Sequence, residues 1–145
     1  MSAPVQLVAL ARRAAATQSL DPALVCAVVE QESGWNPWAM RFEPVFEDRY
    51  IRPALPLAPT TEELCLAISW GLMQVMGETA REHGFRGKFL NALCDPATGL
   101  SVGCVVLSHK LAKAEGDVQA GLLLWNGGAN TGYPEQVFAR TSNYK

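Results

Sequence analysis

The sequence predicts a single, mainly α-helical domain. Helix-start signals recur along the chain, whereas no segment shows the sustained polar–apolar alternation of a half-buried strand. The length of 145 residues, with 49% hydrophobic and 18% charged residues, suits one soluble globular core. We therefore expect residues 1–145 to form one domain.

Two helices are predicted in the first third of the chain. Residues 4–16 place apolar side chains at helical spacing. Asp21 is a good N-cap and Pro22 a good first helical residue, which predicts a second helix over residues 22–33. Gly34 and Pro37 should end it, because glycine permits left-handed geometry and proline cannot continue a helix.

Residues 34–60 predict a long irregular segment. It holds five prolines, at positions 37, 44, 53, 56 and 59, and no sustained period. Its aromatic residues argue against disorder: Trp35, Trp38, Phe42, Phe46 and Tyr50. Long irregular segments inside compact domains are usually functional.

Helices follow to the end of the chain. Thr60 and Glu63 form a capping box that predicts a short helix over residues 62–68, and residues 72–83 look helical with an interruption at Gly77. Further helices are expected over residues 96–115, from Asp117 to Asn126, and from Pro134 to about residue 143.

Charge and cysteine usage narrow the function classes. A net charge of −2, with scattered basic residues, argues against a nucleic-acid binder. No run approaches the roughly 18 apolar residues of a membrane span, and the first residues show no signal-peptide pattern. The four cysteines and two histidines form no metal-ligand spacing, so no metal or cofactor is expected. Free thiols are the simplest interpretation of the cysteines, with one disulfide left open.

Glu32 is the most informative residue. It closes an almost wholly apolar run that begins at Leu24. Both the negative end of the helix dipole and apolar surroundings disfavour an ionised carboxylate there, which predicts a raised pKa. A glutamate that stays protonated near neutral pH meets the requirement of a general acid.

Three motifs occur in a fixed order. They are Glu32-Ser33-Gly34-Trp35-Asn36-Pro37, Ser69-Trp70-Gly71-Leu72-Met73-Gln74-Val75-Met76 and Leu124-Trp125-Asn126-Gly127-Gly128. The set resembles SLT-like lytic transglycosylases, which carry a Glu-Ser pair, a Gly-Leu-Met-Gln segment and a Tyr-Asn-Gly/Ala-Gly segment. The resemblance covers about residues 21–137. It implies a lysozyme-like fold with a long irregular insertion between the first two motifs.

The resemblance implies an activity. Such enzymes cleave the β-1,4 bond between N-acetylmuramic acid (MurNAc) and N-acetylglucosamine (GlcNAc) in peptidoglycan and leave a 1,6-anhydro product. One glutamate serves as general acid on the leaving oxygen and then as base on the C6 hydroxyl. The implied partner is the glycan strand, bound by a monomer without a cofactor.

The resemblance also assigns residues. Glu32 is the implied acid/base; Glu30 is its rival, but at about 100° per residue the two side chains point to roughly opposite helix faces. The Ser-Gly after Glu32 favours Glu32. Trp125 replaces the usual tyrosine, keeping a stacking face but losing the hydroxyl. The implied substrate-binding residues are Ser69, Gly71, Met73, Gln74, Trp125, Asn126 and Tyr133.

Alternatives stay open. The segment Arg41-Phe42-Glu43-Pro44 is either an internally paired, solvated loop or the source of a second carboxylate, most plausibly Glu43. A second carboxylate would favour a muramidase, because glycosidases that use water normally need two. Trp35 and Trp38 either line a sugar subsite or pack under the loop. A different class is a non-catalytic peptidoglycan-binding module that keeps the fold.

The expected place of action is the periplasm or cell wall. Without a signal peptide, the sequence fits a phage-encoded endolysin released at lysis, and it fits equally a trimmed exported enzyme.

Overall fold

A computed structural model describes residues 2–54 and 59–145, so Pro56 of the irregular segment lies outside the described residues. Helices dominate, which confirms the mainly α prediction. The helices are α1 (Val5–Thr17), α2 (Pro22–Ser33), α3 (Pro44–Phe46), α4 (Thr61–Cys65), α5 (Gly77–Glu82), α6 (Pro96–Lys113), α7 (Val118–Asn126) and α8 (Tyr133–Thr141). Three short strands accompany them: β1 (Met40–Phe42), β2 (Ile68–Trp70) and β3 (Val75–Met76).

Helix α2 is the centre of the core. Asp21 accepts a hydrogen bond from the Ala23 N–H at 2.9 Å, and Pro22 follows it, as the sequence predicts. Every residue from 23 to 29 is buried, and α1 and α8 pack against this helix. The helix ends at Gly34, whose φ of 56° is left-handed.

The later helix starts are also confirmed. Asp95 and Asp117 cap α6 and α7 by accepting backbone N–H groups of Thr98 and Ala120, each at 3.0 Å. Helix α7 ends at Gly127, with φ of 79°. The last helix begins one residue before the predicted Pro134, and a 3₁₀ turn over Ser142–Tyr144 follows it.

The small sheet contradicts the expectation of no strand. Its order is β1-β2-β3 with antiparallel pairing, and Met40 lies opposite Trp70. The predicted helix over residues 72–83 is wrong for its first five residues. Gly71 and Gln74 adopt φ values of 73° and 49°, which form a turn, and only residues 77–82 are helical.

The capping box at Thr60 is confirmed. The Thr60 N–H donates to Glu63 Oε2 at 2.7 Å, and the Glu63 N–H donates to Thr60 Oγ1 at 3.2 Å. Helix α4 ends at Cys65, three residues before the predicted end, because Ile68 pairs with Phe42 in the sheet.

The irregular segment contains more local structure than predicted. After β1 come α3, a π-helical turn over Glu47–Ile51 and a 3₁₀ turn over Arg52–Ala54. Glu47 is buried and pairs with Arg52 at 2.9 Å. Within the described part of this segment, the chain therefore turns tightly instead of running as an open loop.

All four cysteines are free thiols. Burial raises the pKa of Cys26 to about 11 and that of Cys104 to about 12, which keeps both thiols protonated. Across residues 2–54 and 59–145, no helix is long and apolar enough to cross a membrane.

Candidate active site

Glu32 lies on the last turn of α2, where two aromatic side chains reach it. The Trp125 indole N–H donates to Glu32 Oε1 at 3.0 Å, and the Tyr133 hydroxyl donates to the same oxygen at 2.6 Å. Burial raises the pKa of Glu32, while both hydrogen bonds and the positive charge of Arg41 act against that rise. The raised pKa agrees with the sequence-based prediction.

The other carboxylate oxygen is free. Among the described residues, none donates a hydrogen bond to Glu32 Oε2, and this atom is not one of the fully buried polar atoms that lack a partner. Oε2 therefore keeps contact with solvent, while Oε1 is held by the protein. The carboxyl group is fixed at one oxygen and open at the other.

Tyr133 reaches Glu32 because the connection between α7 and α8 turns sharply. Gly127 and Gly128 both have positive φ, 79° and 78°, and this brings the start of α8 back beside the end of α7. Tyr133 is only 4% exposed. Its burial and the nearby charge of Glu32 raise its pKa far above the usual range, so the hydroxyl remains a neutral donor.

Arg41 and Glu43 form an ion pair whose charges act on Glu32. Arg41 Nε donates to Glu43 Oε1 at 2.7 Å, and Nη2 donates to Oε2 at 3.4 Å. The charge of Arg41 lowers the pKa of Glu32 and the charge of Glu43 raises it. The predicted internal pairing of this loop is therefore present, and it lies within electrostatic reach of Glu32.

The second motif builds the hairpin next to this site. Gln74 Nε2 donates to the carbonyls of Ala39 and Gly71 at 3.0 and 2.9 Å, and Gln74 Oε1 accepts from Ser69 Oγ at 2.9 Å. Through these bonds the Gln74 amide holds β2 and β3 to Ala39, the residue before β1. Ser69 is only 4% exposed.

Gly71 allows a close backbone approach, although to the protein itself. A Cβ atom at this position would lie 2.3 Å from the Leu93 carbonyl oxygen. The hairpin therefore packs tightly against the Leu90–Cys94 turn, and the predicted approach of a ligand to Gly71 stays a prediction.

Met73 does not join the other motif residues. It is fully buried, and its side chain packs against Gly103 of α6, where a Cβ atom would lie 2.3 Å from Met73 Sδ. Met73 therefore has no surface that faces a groove. Met73 lies in the core and not in the expected cleft.

Ser33 is a residue that the sequence reasoning did not assign to the site. Its hydroxyl donates to the Leu72 carbonyl at 2.8 Å, which joins the end of α2 to the hairpin. Its position directly after Glu32 in the first motif was the only signal for it.

Asn126 organises the connection between α7 and α8. Its amide donates to the Asn130 carbonyl at 3.0 Å, and the Asn130 side chain donates to Gln136 at 3.1 Å. Gln31, the neighbour of Glu32, donates to the same Gln136 oxygen at 3.1 Å. Asn126 thus lies at the edge of the site and shapes the loop that carries Tyr133.

Glu30 is on a different face of α2, as the helical spacing predicts. Its carboxylate accepts the Tyr144 hydroxyl and lies 3.7 Å from Arg140 Nε. Trp35 is 6% exposed and donates to the Tyr144 hydroxyl at 2.8 Å, so it packs against the C-terminal turn. Trp38, in contrast, is 76% exposed.

The family model described as "Transglycosylase SLT domain" matches residues 9–138. That range includes Glu32, both aromatic donors, the hairpin and the Arg41–Glu43 pair. No solved structure matches the chain.

Proposed function

The chain belongs to the transglycosylase SLT domain family, and from this premise we propose that it is a lytic transglycosylase with Glu32 as its acid/base. The family has a lysozyme-like fold and acts on peptidoglycan. The proposed reaction cleaves the β-1,4 bond between MurNAc and GlcNAc and closes a 1,6-anhydro ring on the MurNAc residue.

The proposal depends most on the way Glu32 is held. Its half-buried carboxyl has a raised pKa, one oxygen anchored by two donors, and one oxygen open to solvent. Burial favours the protonated form that the first step requires. The donors Trp125 and Tyr133 stabilise the carboxylate that this step produces.

In the first step, the protonated Glu32 gives its proton from Oε2 to the glycosidic oxygen. The bond between C1 of MurNAc and that oxygen breaks with its electron pair, and the GlcNAc side leaves as an alcohol. Positive charge develops on the MurNAc ring beside a carboxylate that has just become negative.

In the second step, the Glu32 carboxylate takes the proton of the MurNAc C6 hydroxyl. The freed oxygen bonds to C1, which closes the anhydro ring and regenerates protonated Glu32. No water is consumed, so one carboxylate is sufficient.

Further residues are proposed to surround the strand. Trp125 would stack its ring face on a sugar, and Ser69, Gly71, Gln74, Asn126 and Tyr133 would bind the strand near Glu32. We propose that residues 1–145 act as one monomeric domain on glycan strands in the periplasm or cell wall, without a cofactor.

Product mass tests the proposal directly. Digestion of purified sacculi should yield anhydro-muropeptides, each lighter by one water than the hydrolytic product. Glu32→Gln should remove activity while the protein stays folded, because the amide oxygen can keep both donors. Glu30→Gln, on a different face of the same helix, is the matched control and should stay active. An active, folded Glu32→Gln protein would refute the site.

A muramidase is the second candidate, because the charge of Glu43 reaches Glu32. In that reaction Glu43 would activate a water molecule. Products with reducing ends only, together with loss of activity in Glu43→Gln, would favour it over the transglycosylase.

A further inference from the structure

The ion pair beside Glu32 carries one further inference, which rests on the proposed function. We propose that Arg41 is a positioning residue that decides the product, because it holds Glu43 away from the role of general base. With Glu43 held, the C6 hydroxyl of the substrate, and not water, attacks C1.

The contact between Arg41 and Glu43 engages the whole carboxylate. Oε1 accepts from Nε at 2.7 Å and Oε2 accepts from Nη2 at 3.4 Å, so both oxygens face the guanidinium. The Arg41 side chain is 74% exposed and the Glu43 side chain only 28%. The guanidinium thus lies on the solvent side of the carboxylate.

The backbone fixes both residues. Arg41 lies in β1 opposite Ser69, and the Glu43 N–H donates to the Ala67 carbonyl at 3.0 Å. Residues two apart on an extended chain project to the same face, which brings the two side chains together. Glu43 directly precedes α3, yet its side chain makes no capping bond to that helix. Its carboxylate pairs with Arg41 instead.

The pair is placed where it can matter for the reaction. The Ser33–Leu72 hydrogen bond joins the end of α2 to the hairpin, and the Gly71 N–H donates to Ala39, just before β1, at 2.7 Å. The charges of Arg41 and Glu43 both act on Glu32. The pair therefore lies at the strand that these hydrogen bonds join to the Glu32 end of α2.

The chemistry explains why pairing would exclude water attack. In hydrolysis, a water oxygen bonds to C1 while a carboxylate takes one of its protons, and Glu32 has already protonated the leaving oxygen. That carboxylate must turn one oxygen towards the water. Glu43 has both oxygens turned to Arg41, whereas a neutral residue at position 41 would release it.

The composition of the products reports whether Glu43 has been released from Arg41. Purified sacculi are digested with the wild type, Arg41→Gln and the double variant Arg41→Gln/Glu43→Gln, and the ratio of hydrated to anhydro products is read by mass. We expect the ratio to rise roughly fivefold in Arg41→Gln, the response to loss of an ion pair of this kind. The double variant should return to the wild-type ratio, and Arg41→Lys should lie between.

The possible outcomes distinguish a failure of this inference from a failure of the proposed function. A wild-type ratio in folded, active Arg41→Gln, or a raised ratio that persists in the double variant, overturns the inference while leaving the proposed function intact. Reducing-end products from the wild type itself overturn both, because Glu43 would then act while paired. Arg41→Met repeats the test if Arg41→Gln does not fold, as judged by circular dichroism.

Discussion

The Trp125 indole nitrogen and the Glu32 carboxylate oxygen Oε1, 93 positions apart in the chain, lie 3.0 Å apart in a hydrogen bond. The family pattern has a tyrosine at position 125, and the indole supplies a donor to Glu32 although that hydroxyl is missing. A hydroxyl still reaches the carboxylate, from Tyr133 at 2.6 Å. The departure from the pattern therefore leaves Glu32 with two donors.

Tyr133→Phe should move the pH profile. The Tyr133 hydroxyl lowers the pKa of Glu32, so its removal lets that pKa rise further. Activity requires protonated Glu32, so the alkaline limb of kcat/KM against pH should shift to higher pH. The maximal rate should fall about ten- to hundredfold, because a hydrogen bond to the developing carboxylate is lost.

Tyr144→Phe is the matched control, because its hydroxyl bonds Glu30 on a different face of α2. Its alkaline limb should coincide with that of the wild type. Equal shifts in both variants would show that the effect is not transmitted through Glu32.

Trp125→Phe and Tyr133→Phe should not act independently. Both remove a donor to Glu32 Oε1, and residues that share one partner couple in double-mutant cycles. We expect the coupling energy, calculated from the kcat/KM values of the four proteins, to be on the order of 1 kcal/mol. Strict additivity in the double variant would contradict a shared acceptor.

Glu32→Gln should stabilise the protein at neutral pH. The folded state holds the Glu32 proton more tightly than the unfolded state, so stability is greatest below the ordinary pKa of 4.5 and is lost as pH rises through the raised pKa. The side-chain amide of the Glu32→Gln variant does not ionise, so that variant does not lose stability in this way. The unfolding free energy of Glu32→Gln should exceed that of the wild type by on the order of 1 kcal/mol at pH 7.

Urea unfolding across pH 4–8 measures this difference. The gap between Glu32→Gln and wild type should widen as pH rises. A gap that is constant with pH would show that Glu32 titrates normally in the folded protein.

Gly99→Ala should destabilise the fold although alanine favours helices. A Cβ atom at Gly99 in α6 would lie 2.3 Å from the Leu93 carbonyl oxygen, a backbone atom that cannot move aside alone. We expect a loss of about 1–3 kcal/mol in urea unfolding. Ser101→Ala, at an exposed position of the same helix, should change stability by less than about 0.5 kcal/mol. Equal stability of the two variants would exclude the proposed clash.

The helix starts could be predicted because their signals are local. Asp21, Asp95 and Asp117 each cap a helix that begins at the next residue. The strands could not, since each has only two or three residues and forms because residues 68–70 pair with residues 40–42 on one side and 75–76 on the other. A period of two cannot be recognised over so short a span.

The candidate site could likewise be predicted only where the signals are local in the sequence. The apolar run of α2 and the motif order pointed to Glu32, and the resemblance pointed to Trp125 and Tyr133. That Tyr133 meets Trp125 at one oxygen of Glu32 could not be predicted, because it depends on how the chain turns back at Gly127 and Gly128. The burial of Met73 was equally hidden, since it depends on the absence of a side chain at Gly103, thirty positions away.

The anchored oxygen of Glu32 has a consequence for the geometry of the proposed reaction. With Oε1 occupied by two donors, one atom, Oε2, must both deliver and collect the proton. The departing sugar oxygen and the C6 hydroxyl therefore both face this oxygen, one in each step. Both proton transfers therefore take place on one side of the carboxyl group, so the proposed reaction requires the C6 hydroxyl to lie on the same side of the MurNAc ring as the bond that breaks.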